Sequence, residues 1–374
     1  MSIDPAVFSL SDAQLLEIAG TLERRIAEGL AADGLEIKAL PSFLGPPRGA
    51  QGTVLAFDTG GTNMRAAVVE LRAGGAEIIR GPVEQRVPDG RDGRSVDAAA
   101  FFDAHADLAR AIDGRGLPIG YCFSYPSRSQ PDRDATLIAW TKGVRVDGVE
   151  GTPVGRGLHK ALAAAGLDPG PVTVLNDTVA ALLALGPAEE GLGLIVGTGH
   201  NIAAYYPRES IRKLPENPLP RMAVNLELGN YHPPHLSRFD DALDASLGEI
   251  GGRQRLEKSV SGYYLPKIQA LADPEHAVTD GKALGELARS EAPGAAIARA
   301  ILERSADLVA AALAGVLASV GVQNQARIAA EGSLFWSPGY AVRAEATLRR
   351  LSRAPFTIER AHDPNLIGAA LAAR

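Results

Sequence analysis

Three short segments combine glycines with residues able to handle a phosphate or a proton. The first is Phe-Asp-Thr-Gly-Gly-Thr-Asn at 57–63. An apolar run, Thr53 to Phe57, delivers Asp58 to its tip. Gly60 and Gly61 let the backbone turn tightly and expose N–H groups, and such a nest binds anions. Thr62 and Asn63 add side-chain donors, and Asp58 is a carboxylate suited to Mg²⁺ through water. A plain glycine hairpin with a capping Asp has the same local pattern. The second segment is Gly-Thr-Gly-His-Asn at 197–201, where Thr198 brings a hydroxyl and Asn201 an amide. Two such turns, each at a strand tip, are suited to grip a phosphate chain from opposite sides. The third is Asn-Asp-Thr at 176–178. Asp177 there reads either as a helix cap or as a base.

Polar groups set among aromatic ones fill two further segments, Phe-Ser-Tyr-Pro-Ser at 123–127 and Trp-Thr-Lys-Gly at 140–143. Fixed hydrogen-bonding groups beside apolar faces are what a sugar site needs. Taken alone, Lys142 also reads as an ordinary solvated lysine.

These segments need elements to hold them. Ser11 and Gln14 form a capping box with Leu10 and Leu15 at the staple positions, and Leu15, Ile18, Leu22, Ile26 and Leu30 recur on one helical face. A Pro- and Gly-rich stretch from Leu40 leads to the run Thr53–Phe57, which pairs with Arg65–Leu71 as a hairpin. Residues 80–96 read as a polar surface loop. Further strands are expected at 117–123, 172–175, 192–196, 202–206 and 327–330, and helices at 98–112, 179–185, 292–320 and 368–374. The interleaving predicts an α/β class. The strand–turn–strand pattern at Asp58 and again at Gly197 suggests two related halves facing a cleft.

Composition narrows the function. The chain has 374 residues, which favours two domains, and 46% hydrophobic with 22% charged residues, which is globular. A net charge of −6 argues against a nucleic-acid partner. Cys122 is the sole cysteine, so neither an internal disulfide nor a cysteine zinc site is available, and a cytoplasmic location fits. The expectation is a buried strand thiol. No signal-peptide pattern or membrane-span-length run is expected. His232-Pro-Pro-His235 lacks a third ligand and reads as a loop. No Walker-type phosphate loop and no full dinucleotide fingerprint occurs.

Together these motifs resemble the hexokinase family, in its bacterial hexokinase/glucokinase form within the actin-like ATPase superfamily. The resemblance runs in order from about Leu40 to Leu371. It adds Asn-Leu-Glu-Leu-Gly at 225–229, the segment 253–265 and Ala-Ala-Glu-Gly-Ser-Leu-Phe at 329–335. It implies two actin-like (ribonuclease H-like) domains, each a mixed sheet flanked by helices. Residues 51–176 with the C-terminal helix 368–374 would form the small domain, and 1–50 with 177–367 the large one. It further implies ATP-dependent phosphorylation of the 6-hydroxyl of a hexose, glucose foremost, with ATP and Mg²⁺ as cofactors and a place in glycolysis. Asp177 would be the general base, with Lys142 adding positive charge. Ser124, Tyr125, Thr141, Lys142, Asn176, Asp177, Asn201, Glu227, Gln254 and Glu257 would line the sugar. Asp58, Gly60, Gly61, Thr62, Asn63, Arg65 and Thr198 would meet the phosphates and metal, and Gly332, Ser333 and Gly368 the adenosine. A hinge is expected near Asn176.

The chain departs from the family pattern at Tyr125, at His200 and at Asp363-Pro-Asn-Leu366, which replaces a Gly-Ser-Gly run expected at the adenine end. A zinc-binding ROK-type kinase needs cysteines that this chain lacks. A non-catalytic sugar sensor would have no use for the intact phosphate turns. An actin-like ATPase would have no use for Ser124, Thr141 and Gln254.

Overall fold

The computed structural model describes residues 3–73, 75–91, 95–141, 143–248 and 251–374. Helix α1 (Asp12–Ala31) starts with the capping box expected of it. Gln14 N donates to Ser11 Oγ, and Ser11 N donates to the Gln14 side chain at 2.9 Å. Two N–H groups left open by the first turn are thereby satisfied. Leu15, Ile18, Leu22, Ile26 and Leu30 are all buried. A two-residue strand, β1 (Leu40–Pro41), follows.

The first sheet grows from a meander of β2 (Gly52–Thr59), β3 (Asn63–Arg72) and β4 (Gly75–Arg86). Helix α2 (Ala98–Ala111) then leads to β5 (Ile119–Phe123), which joins β2 in parallel. A small hairpin of β6 (Ser127–Ser129) and β7 (Ala135–Leu137) and helix α3 (Val154–Ala164) precede β8 (Val172–Leu175). The order is β4-β3-β2-β5-β8. Helices α2 and α3 bury Phe101, Phe102 and Leu158 against Leu55, Phe57 and Tyr121 on one face.

Part of the expected loop 80–96 is strand. β4 runs to Arg86, and its side chains alternate between exposed and half-buried along an outer edge. By type, Gly81-Pro82 is a strand breaker. The pairing with β3 slips between Ala66 and Val68, opposite these two residues, and proline is tolerated at such an edge bulge.

Helix α4 (Asp177–Leu183) opens the second half. Strands β9 (Gly191–Val196), β10 (His200–Pro207) and β11 (Arg221–Asn225) form a second meander. Helices α5 (Arg238–Ser246), α6 (Arg255–Val260), α7 (Leu265–Ala272), α8 (Gly281–Arg289) and α9 (Ala295–Val320) intervene before β12 (Ala326–Glu331). Helix α10 (Tyr340–Leu351), β13 (Phe356–Arg360) and α11 (Pro364–Ala372) complete the chain. The order is β1-β11-β10-β9-β12-β13. Setting β1 aside, both sheets have the third strand of a meander at one edge and two parallel strands at the other.

Between the sheets lies an inner layer made by α4 and α11. Each helix crosses to the opposite sheet: α4 packs on β9 and α11 on β5. Glycine makes these approaches possible. A Cβ on Gly193 would lie 2.2 Å from Thr178 O, and one on Gly120 would lie 1.8 Å from Ala369 O. Gly368 is the third such contact, its would-be Cβ 1.9 Å from Ala180 O on α4. Gly368, expected beside adenosine, thus lies in the crossing of two helices. Cys122 is buried as expected, and burial first, then Asp58, Asp177 and Glu331, pushes its thiol well above the usual range. No helix among the described residues is long and apolar enough to cross a membrane.

Candidate active site

Strand tips and helix starts from both sheets converge at Asp58. β2 ends there, opposite Arg65 of β3 and beside Cys122 of β5. Asp58 is only 7% exposed. Arg65 donates to Asp58 Oδ2 through Nε at 3.1 Å and Nη2 at 2.7 Å, while Arg65 Nη1 reaches Asp363 Oδ1 at 2.8 Å. Asn365 Nδ2 donates to Asp58 Oδ1 at 3.2 Å. Burial raises the Asp58 pKa; Arg65 opposes this and the Asp177 charge adds to it.

The segment Asp363-Pro-Asn thus lies beside Arg65 and Asp58. Asp363 precedes α11 at φ 44°, Pro364 occupies the first turn where its missing N–H costs nothing, and Asn365 is aimed at Asp58. Glu331, at the tip of β12, joins the same cluster. Burial, then Asp177 and Asp58, push it up to about 7. Its Oε2 is buried without a hydrogen-bond partner. Sequence reasoning missed Glu331, Asp363 and Asn365. Only the strand-then-polar pattern at 326–331 and 356–363 could have signalled them, since it matches the one ending at Asp177.

Asp177 stands in the first turn of α4, and Asn176 is the cap. Thr178 N donates to Asn176 Oδ1 at 2.9 Å and to Asp177 Oδ1 at 2.8 Å. The capping share expected of Asp177 thus falls mainly to Asn176, because Asn176 holds the extended backbone that a cap requires.

The turn after β2 is braced from several sides. Gly60 N donates to Asn63 O at 3.0 Å, Tyr125 OH to Gly60 O at 2.6 Å, Arg91 to Gly61 O at 2.5 Å and Val87 N to Thr62 O at 2.9 Å. Thr62 and Asn63 are exposed, and the Asn63 amide is tied to Glu84. Tyr125 is buried against Trp140 and Phe123, so its phenol serves this turn. Beneath it, His105 Nε2 lies 2.9 Å from Thr59 Oγ1 and 3.1 Å from Tyr121 OH, while Nδ1 faces Phe101 O at 3.0 Å. A carbonyl only accepts, so Nδ1 carries the proton and Nε2 is left as the acceptor facing the two hydroxyls. Burial holds His105 at about 4.

In the second turn, Gly197 N donates to Gly199 O at 2.9 Å and Gly262 N to Gly197 O at 2.8 Å. Thr198 is exposed at its tip. Gly332, at φ 111°, lies so close that a Cβ would be 2.2 Å from Val196 O. Thr198 and Ser333 line one cavity of about 800 Å³.

The remaining groups form two connected sets. Asn201 Nδ2 donates to Asn225 Oδ1 at 2.7 Å, and Asn225 Nδ2 donates to Glu227 Oε1 at 2.8 Å. Glu257 Oε2 accepts from His200 N at 3.4 Å and packs against Gly199 and Gly229. Glu227 and Gln254 both hold left-handed backbone, φ 56° and 53°, a strain that clusters at functional sites. Lys258 and Gly252 N clamp Asp244 at 2.5 and 2.6 Å, which anchors the segment presenting Gln254 and Glu257. Tyr125, Asn176 and Asn225 share a small cavity of about 20 Å³ between the sheets. Ser124 N donates to Thr59 O at 3.1 Å, and Thr141 is exposed nearby in sequence. Lys142 lies outside the described residues.

Two family models, both described as hexokinase, match residues 5–186 and residues 191–273 with 294–374. Hexokinase-1 of Oryza sativa subsp. japonica is 34% identical over 279 residues, 68% of this chain and 55% of that protein. Hexokinase-2 of Homo sapiens is 29% identical over 411 residues, 91% of this chain and 44% of the relative. The chain thus spans about half the length of these curated relatives. Among solved structures, a Schistosoma mansoni hexokinase complexed with glucose matches with a TM-score of 0.83 at 26% identity, over 99% of this chain and 97% of that one. A ROK-family glucokinase from Streptomyces griseus, in complex with glucose and AMPPNP, matches at 0.52 with 19% identity over 85% and 98%, a likeness of fold.

Proposed function

The chain belongs to the hexokinase family, and from that premise we propose that it transfers the γ-phosphoryl group of ATP to the 6-hydroxyl of a hexose, glucose foremost. The observation that carries this reading is the meeting of Asp58, Asp177 and Glu331 at one point. Each comes from a different strand tip or helix start, and Asp177 acts electrostatically on both of the others. The glucose in the Schistosoma mansoni structure supports the choice of hexose.

Asp177 takes the proton of the attacking hydroxyl, a contribution of roughly 10²–10⁴ in rate. The Asn176 amide, Glu227, Gln254 and Glu257 hold the neighbouring hydroxyls, with Ser124 and Thr141 closing the other side. The nest at Gly60–Gly61 and the Thr198 turn receive the phosphates. Gly332 and Ser333 stand toward the nucleoside.

The residues present fit a divalent cation brought in with the nucleotide. Asp58 and Glu331 both have raised pKa values, and one Glu331 oxygen is buried without a partner. No group of three ligating side chains among the described residues is arranged to hold a metal directly. Asp58 and Glu331 would therefore hold Mg²⁺ through water, where it would supply charge neutralisation on the phosphates. Arg65 keeps Asp58 oriented for this.

The domain division goes with the same proposal. Residues 51–176 with the C-terminal helix 368–374 move as the small domain, 1–50 with 177–367 as the large one, and the hinge lies near Asn176. Closure on the sugar completes the site and keeps water from substituting for it. A coupled ADP-release assay across glucose, mannose, fructose and glucosamine tests the reading. Hexose-dependent ADP release supports it, and release at the same rate without hexose contradicts it.

A further inference from the structure

The two glycine peptides of the turn after β2 are held by side chains from outside it. Tyr125 OH donates to Gly60 O at 2.6 Å, and Arg91 Nη2 donates to Gly61 O at 2.5 Å. A trans peptide is planar, with its C=O and N–H on opposite sides. Gly60 O shares a peptide with Gly61 N, and Gly61 O shares one with Thr62 N. Fixing the two carbonyls therefore fixes the direction of those two N–H groups. Among the described residues, neither Gly61 N nor Thr62 N donates a backbone hydrogen bond. Glycine leaves such peptides free to rotate, so without an outside hold the turn would have to be ordered at the moment an anion binds.

Both holding side chains are rooted beside the segments that resemble a sugar loop. The Tyr125 ring is 1% exposed and stands edge-on to Trp140, with ring centroids 4.7 Å apart. Trp140 is itself fixed, its Nε1 donating to Val146 O at 2.9 Å. Arg91 pairs with Asp89 at 3.2 Å, and a Cβ on Gly143 would lie 3.3 Å from Arg91 Nε. Asp89 O accepts from Arg145 N at 2.8 Å. Segment 140–145 thus backs both contacts. Tyr125 is also a position where the chain departs from the family pattern, and its hydroxyl is the atom that reaches Gly60. Burial pushes this phenol above its usual range, so it stays a donor.

We propose that Tyr125 and Arg91 are positioning residues for the phosphate donor, holding the Gly60–Gly61 turn so that Gly61 N and Thr62 N are aimed at its phosphates before it binds. The proposal rests on the kinase reading and assigns Tyr125 to the donor rather than to the sugar. Neither side chain needs to touch the nucleotide. Each acts through a carbonyl, so its loss appears in nucleotide affinity and leaves glucose affinity in place.

The test is calorimetric titration of the full chain with glucose, and then with AMPPNP and magnesium at saturating glucose, together with KM for ATP. Tyr125→Phe removes one hydroxyl and keeps the ring. It should weaken AMPPNP, and raise KM for ATP, by about three- to tenfold, the worth of one hydrogen bond, with glucose affinity within about twofold. Arg91→Met should do the same from the other carbonyl, and Arg91→Lys, which keeps a donor, should recover part of the loss. A weakening of AMPPNP under about threefold in Tyr125→Phe or in Arg91→Met overturns the proposal. So does an equal loss of glucose and AMPPNP affinity, which is what a merely structural role would give. Failure of the unmodified protein to bind AMPPNP at all would instead sink the kinase reading, and the proposal with it.

Discussion

The two sheets carry the same strand order on opposite sides of one inner layer, yet their turns carry different chemistry. At the tip of β2 stands Asp58, held by Arg65; at the tip of β9 stands Gly197, followed by an exposed Thr198. One turn brings charge and the other brings backbone and hydroxyl donors. The parallel strands repeat the contrast. β8 leads to Asn176 and Asp177 at the start of α4, and β13 leads to Asp363 and Asn365 at the start of α11. A repeated backbone device presents these strand tips, and side-chain type alone gives each tip its role. The outer layers differ too. The first sheet is backed by α2 and α3, while the second is backed by a larger helical layer pinned by Asp240 and Arg304, each 2% exposed.

That pin gives the largest stability effect. Burial works against the Asp240 charge, but Arg304 and the Ser237 and Ser259 hydroxyls outweigh it and hold the carboxyl below the usual range. Asp240→Ala leaves Arg304 buried and unpaired, a cost of about 3–5 kcal/mol. Urea unfolding should show this loss, and a loss under about 1 kcal/mol would contradict it.

The symmetry of the inner layer is tested next. Gly120→Ala and Gly193→Ala should each cost about 1–3 kcal/mol or more, because each methyl meets a carbonyl of the crossing helix. Similar losses would support equal roles for α4 and α11. A neutral result at either site would break the comparison.

The turns also share a buried histidine, His105 under the first and His200 in the second, both held at about 4 mainly by burial. In the unfolded chain they protonate near their ordinary value of 6.5, so there the unfolded state binds more protons. Stability is present above that value and falls as pH drops from 6.5 toward 4, by about 1.4 kcal/mol per unit per histidine. His105→Gln should flatten that slope by one histidine's share in thermal melts. An unchanged slope would show that His105 is not the group responsible.

The smallest effect is kinetic. Glu257→Ala should raise KM for glucose far more than for ATP, since Glu257 is proposed to hold the sugar. Equal shifts in both would contradict that placement.

Much of this was legible in the chain. The hairpin at Asp58 follows from alternating apolar runs around Gly60-Gly61, and α1 from its capping box. β4 was hidden because Gly81-Pro82 reads as a breaker, and only pairing with β3 shows it to be a bulge. The helix-crossing role of Gly368 was hidden because a glycine needed for helix crossing looks, in sequence, like one needed for a ligand. Glu331 and Asn365 were missed because each gains its meaning from Asp58, hundreds of residues away.

The central claim concerns Asp177, and Asp177→Asn tests it with almost no change in shape. Coupled assays with glucose and ATP should show kcat lowered by about 10²–10⁴. Glucose affinity, measured by titration of the same variant, should stay within about tenfold. A kcat equal to that of the unmodified protein would contradict the assignment of Asp177 as the base.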